Sequence, residues 1–126
     1  MIFLDTCIII DYLKQKEIKT FIDNSGKSSF GINSIVIMEL YKGAFNRLEL
    51  QKIKKEISGF RLLDINQEIM NLATDLIEKF SLSHNLKEQD SILASTSIIY
   101  DLEMFTYNLK DFKYIPNIKL YKMNNR

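Results

Sequence analysis

Tryptophan is absent, and histidine, cysteine and proline occur once each, at His84, Cys7 and Pro116. One histidine and one cysteine cannot supply the roughly four soft ligands of a tetrahedral zinc site. A lone Cys7 also forms no internal disulfide, which fits a reducing compartment. Glycine stands only at positions 26, 31, 43 and 59, so neither a G-x-x-x-x-G-K-[ST] nor a G-x-G-x-x-G phosphate loop exists. A Ser-His-Asp triad would need His84, which lies in a polar stretch, residues 81–87, with no nucleophile elbow around it. No apolar run approaches the roughly 20 residues that span a bilayer. The opening Met1-Ile2-Phe3-Leu4-Asp5 has no basic segment and breaks its apolar run with an acid, unlike a signal peptide. The expected location is the cytoplasm. A strong charge of one sign is missing as well. The formal net charge is +1, so any nucleic-acid role must rest on a local patch rather than on the whole-molecule field.

What is present is globular. The 126 residues are 46% hydrophobic and 26% charged, enough for one domain, 1–126, with one real core. Ile2-Phe3-Leu4 reads as a short buried strand ending at Asp5. Asp5 or Thr6 caps a helix carrying Ile9, Tyr12 and Leu13, and a second short helix carries Ile18, Phe21 and Ile22 up to Asn24-Ser25-Gly26. Phe30-Gly31-Ile32 is a second strand. Asn33 and Ser34 cap a helix expected to run to about Phe45, and Leu50, Ile53 and Ile57 mark another, stopped by Gly59. Residues 60–63 form a third strand, and Asp64 or Asn66 caps the clearest amphipathic helix, with Ile69, Leu72, Ala73, Leu76, Ile77 and Phe80 on one face. A loop at 81–87 precedes a helix over about 88–100. Met104-Phe105 is a fourth strand, 109–112 a turn of helix, and 118–120 a candidate edge strand. Short apolar strands separated by helices predict an α/β fold with a mostly parallel sheet of four to five strands, covered on both faces. In such sheets ligands bind beyond the carboxyl ends of the strands, where Asp5 and Thr106 fall.

Certain acids stand in expensive places. Glu39 lies in Ile35-Val36-Ile37-Met38-Glu39-Leu40-Tyr41, apolar around nearly the whole circumference, which predicts a buried helix. A carboxylate there costs several kcal/mol unless paired or metal-bound; the other reading is a narrow wet stripe shared with Lys42. Asp5 is equally well read as a helix cap. Asp90 sits in a first helical turn, where a negative charge complements the helix dipole. It also shares a face of small residues with Ala94 and Ser97, which would allow close approach to the sheet edge. Asp111 follows Thr106-Tyr107-Asn108 in a polar connection and is a ligand candidate or a turn aspartate. Together the acids suit octahedral oxygen coordination of Mg²⁺ or Mn²⁺.

In order and spacing the strings Ile2-Phe3-Leu4-Asp5-Thr6, Ser34-Ile35-Val36-Ile37-Met38-Glu39-Leu40-Tyr41-Lys42-Gly43, Asp90-Ser91-Ile92-Leu93-Ala94-Ser95-Thr96 and Thr106-Tyr107-Asn108-Leu109-Lys110-Asp111-Phe112 resemble PIN domains. The E-L-Y-K-G string and the short chain look most like the VapC-type toxins of type II toxin–antitoxin systems. The resemblance implies a three-layer α/β/α domain and a Mg²⁺- or Mn²⁺-dependent endoribonuclease, usually a homodimer, silenced by a cognate antitoxin. By position, Asp5, Glu39 and Asp90 match the family's metal-binding acids and Asp111 a less regular fourth. Thr6, Thr106 and Asn108 match polar positions that order water or a ligating carboxylate. Gln89 departs from the small residue common before the third acid, and Ser95-Thr96-Ser97 from an alanine-rich run. Lys42, Arg47, Lys110 and Lys113 are candidates for phosphate contacts. Two other readings stay open: an inactive PIN-like module that binds RNA or protein, and a receiver-like phospho-acceptor using Asp64 and Thr106. Against the receiver, Thr6 and Cys7 stand where a paired acid would follow Asp5.

Overall fold

The computed structural model describes residues 1–123. Strand β1 (Ile2–Leu4) opens the chain, with Phe3 and Leu4 fully buried. Helices α1 (Thr6–Leu13) and α2 (Glu17–Ser25) lead to β2 (Phe30–Ile32). Then come α3 (Ser34–Lys42), α4 (Arg47–Ile57) and the two-residue strand β3 (Arg61–Leu62). Helices α5 (Gln67–His84) and α6 (Glu88–Ile99) return the chain to β4 (Glu103–Phe105). The sheet order is β3-β2-β1-β4 and every pairing is parallel. Parallel neighbours need crossovers, and their right-handed sense puts α1–α4 on one face and α5–α6 on the other. Within these layers α1 packs chiefly on α2 and α5 on α6. The expected α/β sandwich is therefore present, with a four-stranded parallel sheet at its centre.

The core runs along both faces of the strands: Ile8, Ile9 and Ile22 from the first helices, Val36 from α3, and Leu93 and Ala94 from α6, all within 1% of full burial. Helix α6 is unusual in burying mostly small residues, among them Ser91, Ala94, Ser95 and Ser97, so its axis can lie close to the sheet. A Cβ at Gly31 would come within 2.9 Å of Leu63 Cδ1, so glycine lets β2 and the chain after β3 approach each other.

Expected boundaries moved at several places. Helix α3 ends at Lys42 because the next segment is committed to starting α4: Asn46 Oδ1 accepts the Glu49 N–H at 2.7 Å and Glu49 Oε1 accepts the Phe45 N–H at 3.1 Å. These two bonds, the Asn46 cap and the Glu49 side chain reaching back to the residue before it, fix the chain outside the helix. The third strand shrinks to two residues, since the Phe60 N–H turns back to the Ile57 carbonyl instead of joining the sheet. Residues 81–84, expected in a loop, continue α5, which ends where Asn85 takes a left-handed conformation, φ 54°. The edge strand at 118–120 reduces to a single bridge, Met104 to Leu120. Among the described residues no helix is long and apolar enough to cross a membrane.

Candidate metal centre

The sheet ladder itself places Asp5. Leu4 pairs with Phe105, and the Asp5 N–H donates to the Phe105 carbonyl at 3.0 Å, one residue beyond β1. Asp5 and Thr106 thus leave adjacent strands side by side at the carboxyl edge. Asp5 is nearly buried, and both carboxylate oxygens are occupied. Oδ1 accepts the Thr6 N–H at 2.7 Å, and Oδ2 accepts the Thr106 hydroxyl at 2.7 Å. The two earlier readings of Asp5 merge here, because it caps α1 and still presents its carboxylate at the sheet edge. The Thr106 oxygen is held in turn by the Asn108 main-chain N–H at 3.0 Å. Asn108 acts through its backbone, a role its side chain did not advertise.

Glu39 is brought to the same place from α3. It is half-buried, not enclosed, and its Oε1 accepts the Thr6 hydroxyl. The expectation of a helix buried all round is corrected: α3 buries Val36 and Leu40 but leaves Met38 56% exposed. Glu39 also lines a groove of about 300 Å³ among Ile10, Leu13, Leu40 and Ile53. Helices α3 and α6 are tied together where the fully buried Asn33 caps α3 through Oδ1 and donates from Nδ2 to Thr96 Oγ1 at 3.0 Å. Thr96, which had looked like a mere departure from an alanine-rich run, links the helix of Glu39 to that of Asp90.

Asp90 occupies the first turn of α6, half-buried. Burial first, then the charges of Asp5, Asp111 and Glu39, push its carboxyl up to about 6 against a smaller opposing pull from Lys87. Like charges nearby disfavour ionisation, so the other three acids lie within electrostatic reach of Asp90, although Glu39 lines one hollow and Asp90 and Asp111 border another. The four acids have not collapsed onto each other: among the described residues no three His, Cys, Asp or Glu side chains stand close enough to grip one ion directly.

Asp90, Asp111 and Lys110 border a second hollow of about 170 Å³ with His84, Lys87 and Tyr114. Lys42, Arg47 and Lys113 are exposed and line neither hollow. Asp64, central to the receiver reading, is exposed after β3, where its main-chain carbonyl accepts the Tyr100 hydroxyl. Sequence reasoning missed Cys7 as a neighbour of the site. Its Sγ lies 3.7 Å from Asp5 Oδ2 and receives the Tyr107 N–H at 3.5 Å. Burial pushes that thiol up, and the Asp5 carboxylate adds to the effect, so it is a poor nucleophile at neutral pH. Its position two residues after Asp5, in the first turn of α1, was the available signal.

The fold is that of a small parallel α/β protein with Asp5 and Thr106 side by side at the carboxyl end of its sheet and Glu39 joined to them through Thr6. The family model described as the PIN domain matches residues 2–117. The chain belongs to the PIN domain family. Among solved structures it is similar to a toxin–antitoxin complex from Klebsiella pneumoniae, 28% identical over 98% of this chain and 100% of that chain, TM-score 0.77. It is also similar in fold to VapBC2 from Rickettsia felis bound to a promoter DNA fragment, 22% identical over 98% of this chain and 100% of that one, TM-score 0.82. DNA-bound VapBC from Salmonella typhimurium matches at 24% identity over 95% of this chain and 96% of that one, TM-score 0.78. No curated protein matches the sequence significantly.

Proposed function

We propose that this protein is a Mg²⁺- or Mn²⁺-dependent endoribonuclease and the toxin of a type II toxin–antitoxin pair. The observation that carries the proposal is the Thr6 bridge, whose N–H donates to Asp5 and whose hydroxyl donates to Glu39, beside an Asp90 carboxyl pushed up to about 6 by burial and then by the charges of Asp5, Asp111 and Glu39. An all-oxygen donor set fits a small hard cation that keeps several of its waters, which relaxes the need for direct ligation by every acid. Asp5, Glu39, Asp90 and Asp111 would hold it. When bound, such an ion polarises the phosphoryl oxygen and lowers the pKa of its attacking water. The chain's own part is orientation. Thr106 and the Thr6 N–H fix both oxygens of Asp5, and the Thr6 hydroxyl fixes Glu39, so these carboxylates need not reorganise during reaction. Asp90 and Asp111 supply negative charge on the other side, and Lys110 beside them can meet a phosphate. Single-stranded or looped RNA is the substrate best able to bend into a recess.

The antitoxin reading is supported by the toxin–antitoxin complexes among the structural relatives. It is supported too by the apolar groove beside Glu39, which suits an amphipathic partner segment. Met38, Phe45 and Leu48, exposed at 56%, 81% and 80%, offer further apolar surface for that partner or for a second copy of the chain.

The test is cleavage of RNA by purified protein with Mg²⁺ or Mn²⁺. EDTA should abolish cleavage, and Asp5→Asn and Glu39→Gln should each lower it on the order of a thousandfold. Equal cleavage under all of these conditions would sink the mechanism. An inactive PIN-like scaffold would instead show no carboxylate-dependent binding of either ion in a metal titration.

A further inference from the structure

The hollow beside Asp90 and Asp111 has features that metal binding does not use. At its edge the His84 ring lies on the Tyr114 ring, with centroids 3.9 Å apart and planes 14° from parallel. Phe80 braces this pair edge-on, 5.1 Å from Tyr114 and 5.6 Å from His84. The Ser83 hydroxyl, 2.7 Å from His84 Nδ1, pins the ring against rotation. His84 is nevertheless exposed while Tyr114 is half-buried, so the imidazole is backed by Tyr114 on one face and still reaches solvent. A flat, braced, open ring is a platform for another flat ring. Two cations border the same hollow, Lys87 just before α6 and Lys110 after β4. Lys87 is near enough to Asp90 for its charge to act on that carboxyl. A phosphodiester approaching the acids must overcome their repulsion, and these lysines stand where they can offset it. The hollow, about 170 Å³, is of a size to take one nucleobase.

We infer that this hollow is a nucleotide subsite, in which one unpaired RNA base stacks on the open face of His84 while Lys87 and Lys110 bind the adjoining phosphate and lead the strand to the acids. The inference rests on the ribonuclease reading for its substrate class. It adds that selection of the cut is made on the α5–α6 side of the pocket and not in the apolar groove by Glu39. Only an unpaired base has a free face for His84, so the subsite discriminates against duplex.

The experiment is binding of a fluorescein-labelled mixed-sequence 12-nucleotide RNA to the full chain in EDTA, read by anisotropy, with cleavage of the same RNA in Mg²⁺ followed in parallel. His84→Ala should weaken binding by about tenfold or more, the loss of one base stack, and His84→Phe should restore it. Lys87→Ala with Lys110→Ala should reduce the slope of log Kd against log salt by about 1.4, the value for two phosphate contacts on a single strand. In the unaltered protein, 2-aminopurine placed along the RNA should be quenched at one position. A variant that folds poorly therefore leaves the quenching to decide. Binding and cleavage unchanged in His84→Ala, or no quenching at any position, overturn the subsite and leave the ribonuclease reading standing. Binding through His84 without cleavage in any divalent metal overturns hydrolysis and keeps the subsite. No RNA binding by the wild type overturns the subsite, and cleavage then decides the ribonuclease reading separately.

Discussion

Asp5 stands at the end of β1 with both oxygens hydrogen-bonded, whereas Asp90 stands in the first turn of α6 with no side-chain hydrogen bond among the described residues and with burial and three other carboxylates acting on it. The same side chain is thus held in place by donors in one position and opposed as an anion in the other. Asp5 and Glu39 are held by the threonine hydrogen bonds without an ion. Asp90 carries a charge that burial and its acidic neighbours oppose and that a cation or a proton relieves. Evenly shared function does not require evenly shared stability.

Neutralising each acid separately should tell the two positions apart. Asp5→Asn and Asp90→Asn should both lower Mg²⁺-dependent kcat/KM on the order of a thousandfold, the several kcal/mol that metal-assisted charge stabilisation supplies. Their effects on stability should have opposite signs. In urea titrations at pH 7 with EDTA, Asp5→Asn should cost about 1–2 kcal/mol, since its amide cannot accept both donors that Asp5 satisfies. Asp90→Asn should raise the midpoint. Two losses of stability would show that Asp90 has a partner in solution.

A smaller effect follows from pH. The Asp90 carboxyl is raised in the fold from 3.8 to about 6, so the folded form holds its proton more tightly than the unfolded chain does. That contribution to stability is fully present below about pH 4 and is lost as pH rises through about 6. With EDTA present, the wild-type melting temperature should fall relative to that of Asp90→Asn between pH 4 and 7. Asp90 is only half-buried, so a difference of about 5 °C is expected; parallel melting curves for the two proteins would remove the asymmetry.

Smaller again is the effect of the hydroxyl that orients Asp5. Thr106→Ala should weaken Mn²⁺ binding by about 10–100-fold in calorimetric titration, as loss of a hydrogen bond behind a ligating carboxylate does. Thr106→Ser should recover most of it. Least of all, Cys7→Ala should change stability by less than about 1 kcal/mol, because a thiol 3.7 Å from Asp5 is a weak donor. Metal affinity equal to wild type in this variant would confine the clamp to Thr6 and Thr106.

The strands were legible where an apolar triplet meets a polar stop. Ile2-Phe3-Leu4 before Asp5 and Phe30-Gly31-Ile32 before Asn33 are such cases, since burial and capping mark the same boundary from both sides. Residues 81–84 were not, because Ser-Leu-Ser-His reads as polar loop while the aromatic packing of Phe80, His84 and Tyr114 that anchors this last turn is tertiary. The bridge at Leu120 was overestimated as a strand. Asn117, at φ 70°, turns the chain so that only the Met104 amide and carbonyl find partners there. Among the candidate residues, Asp5, Glu39, Asp90 and Asp111 were visible as acids near element ends. Which of them are hydrogen-bonded, and through which threonine, needed coordinates, because contacts such as Thr106 to Asp5 join positions 101 residues apart.

The amide of Asp5 is the last rung between the first and fourth strands. Its carboxylate is therefore located by counting residues, at about 3.3 Å a step and with alternate steps facing opposite ways. Gaining or losing one residue between Ile2 and Asp5 would turn the acid to the wrong side of the sheet however well the rest of the fold survived. The chain should accept added length at Asn85, where a left-handed turn already reverses it, and refuse it in its first few residues.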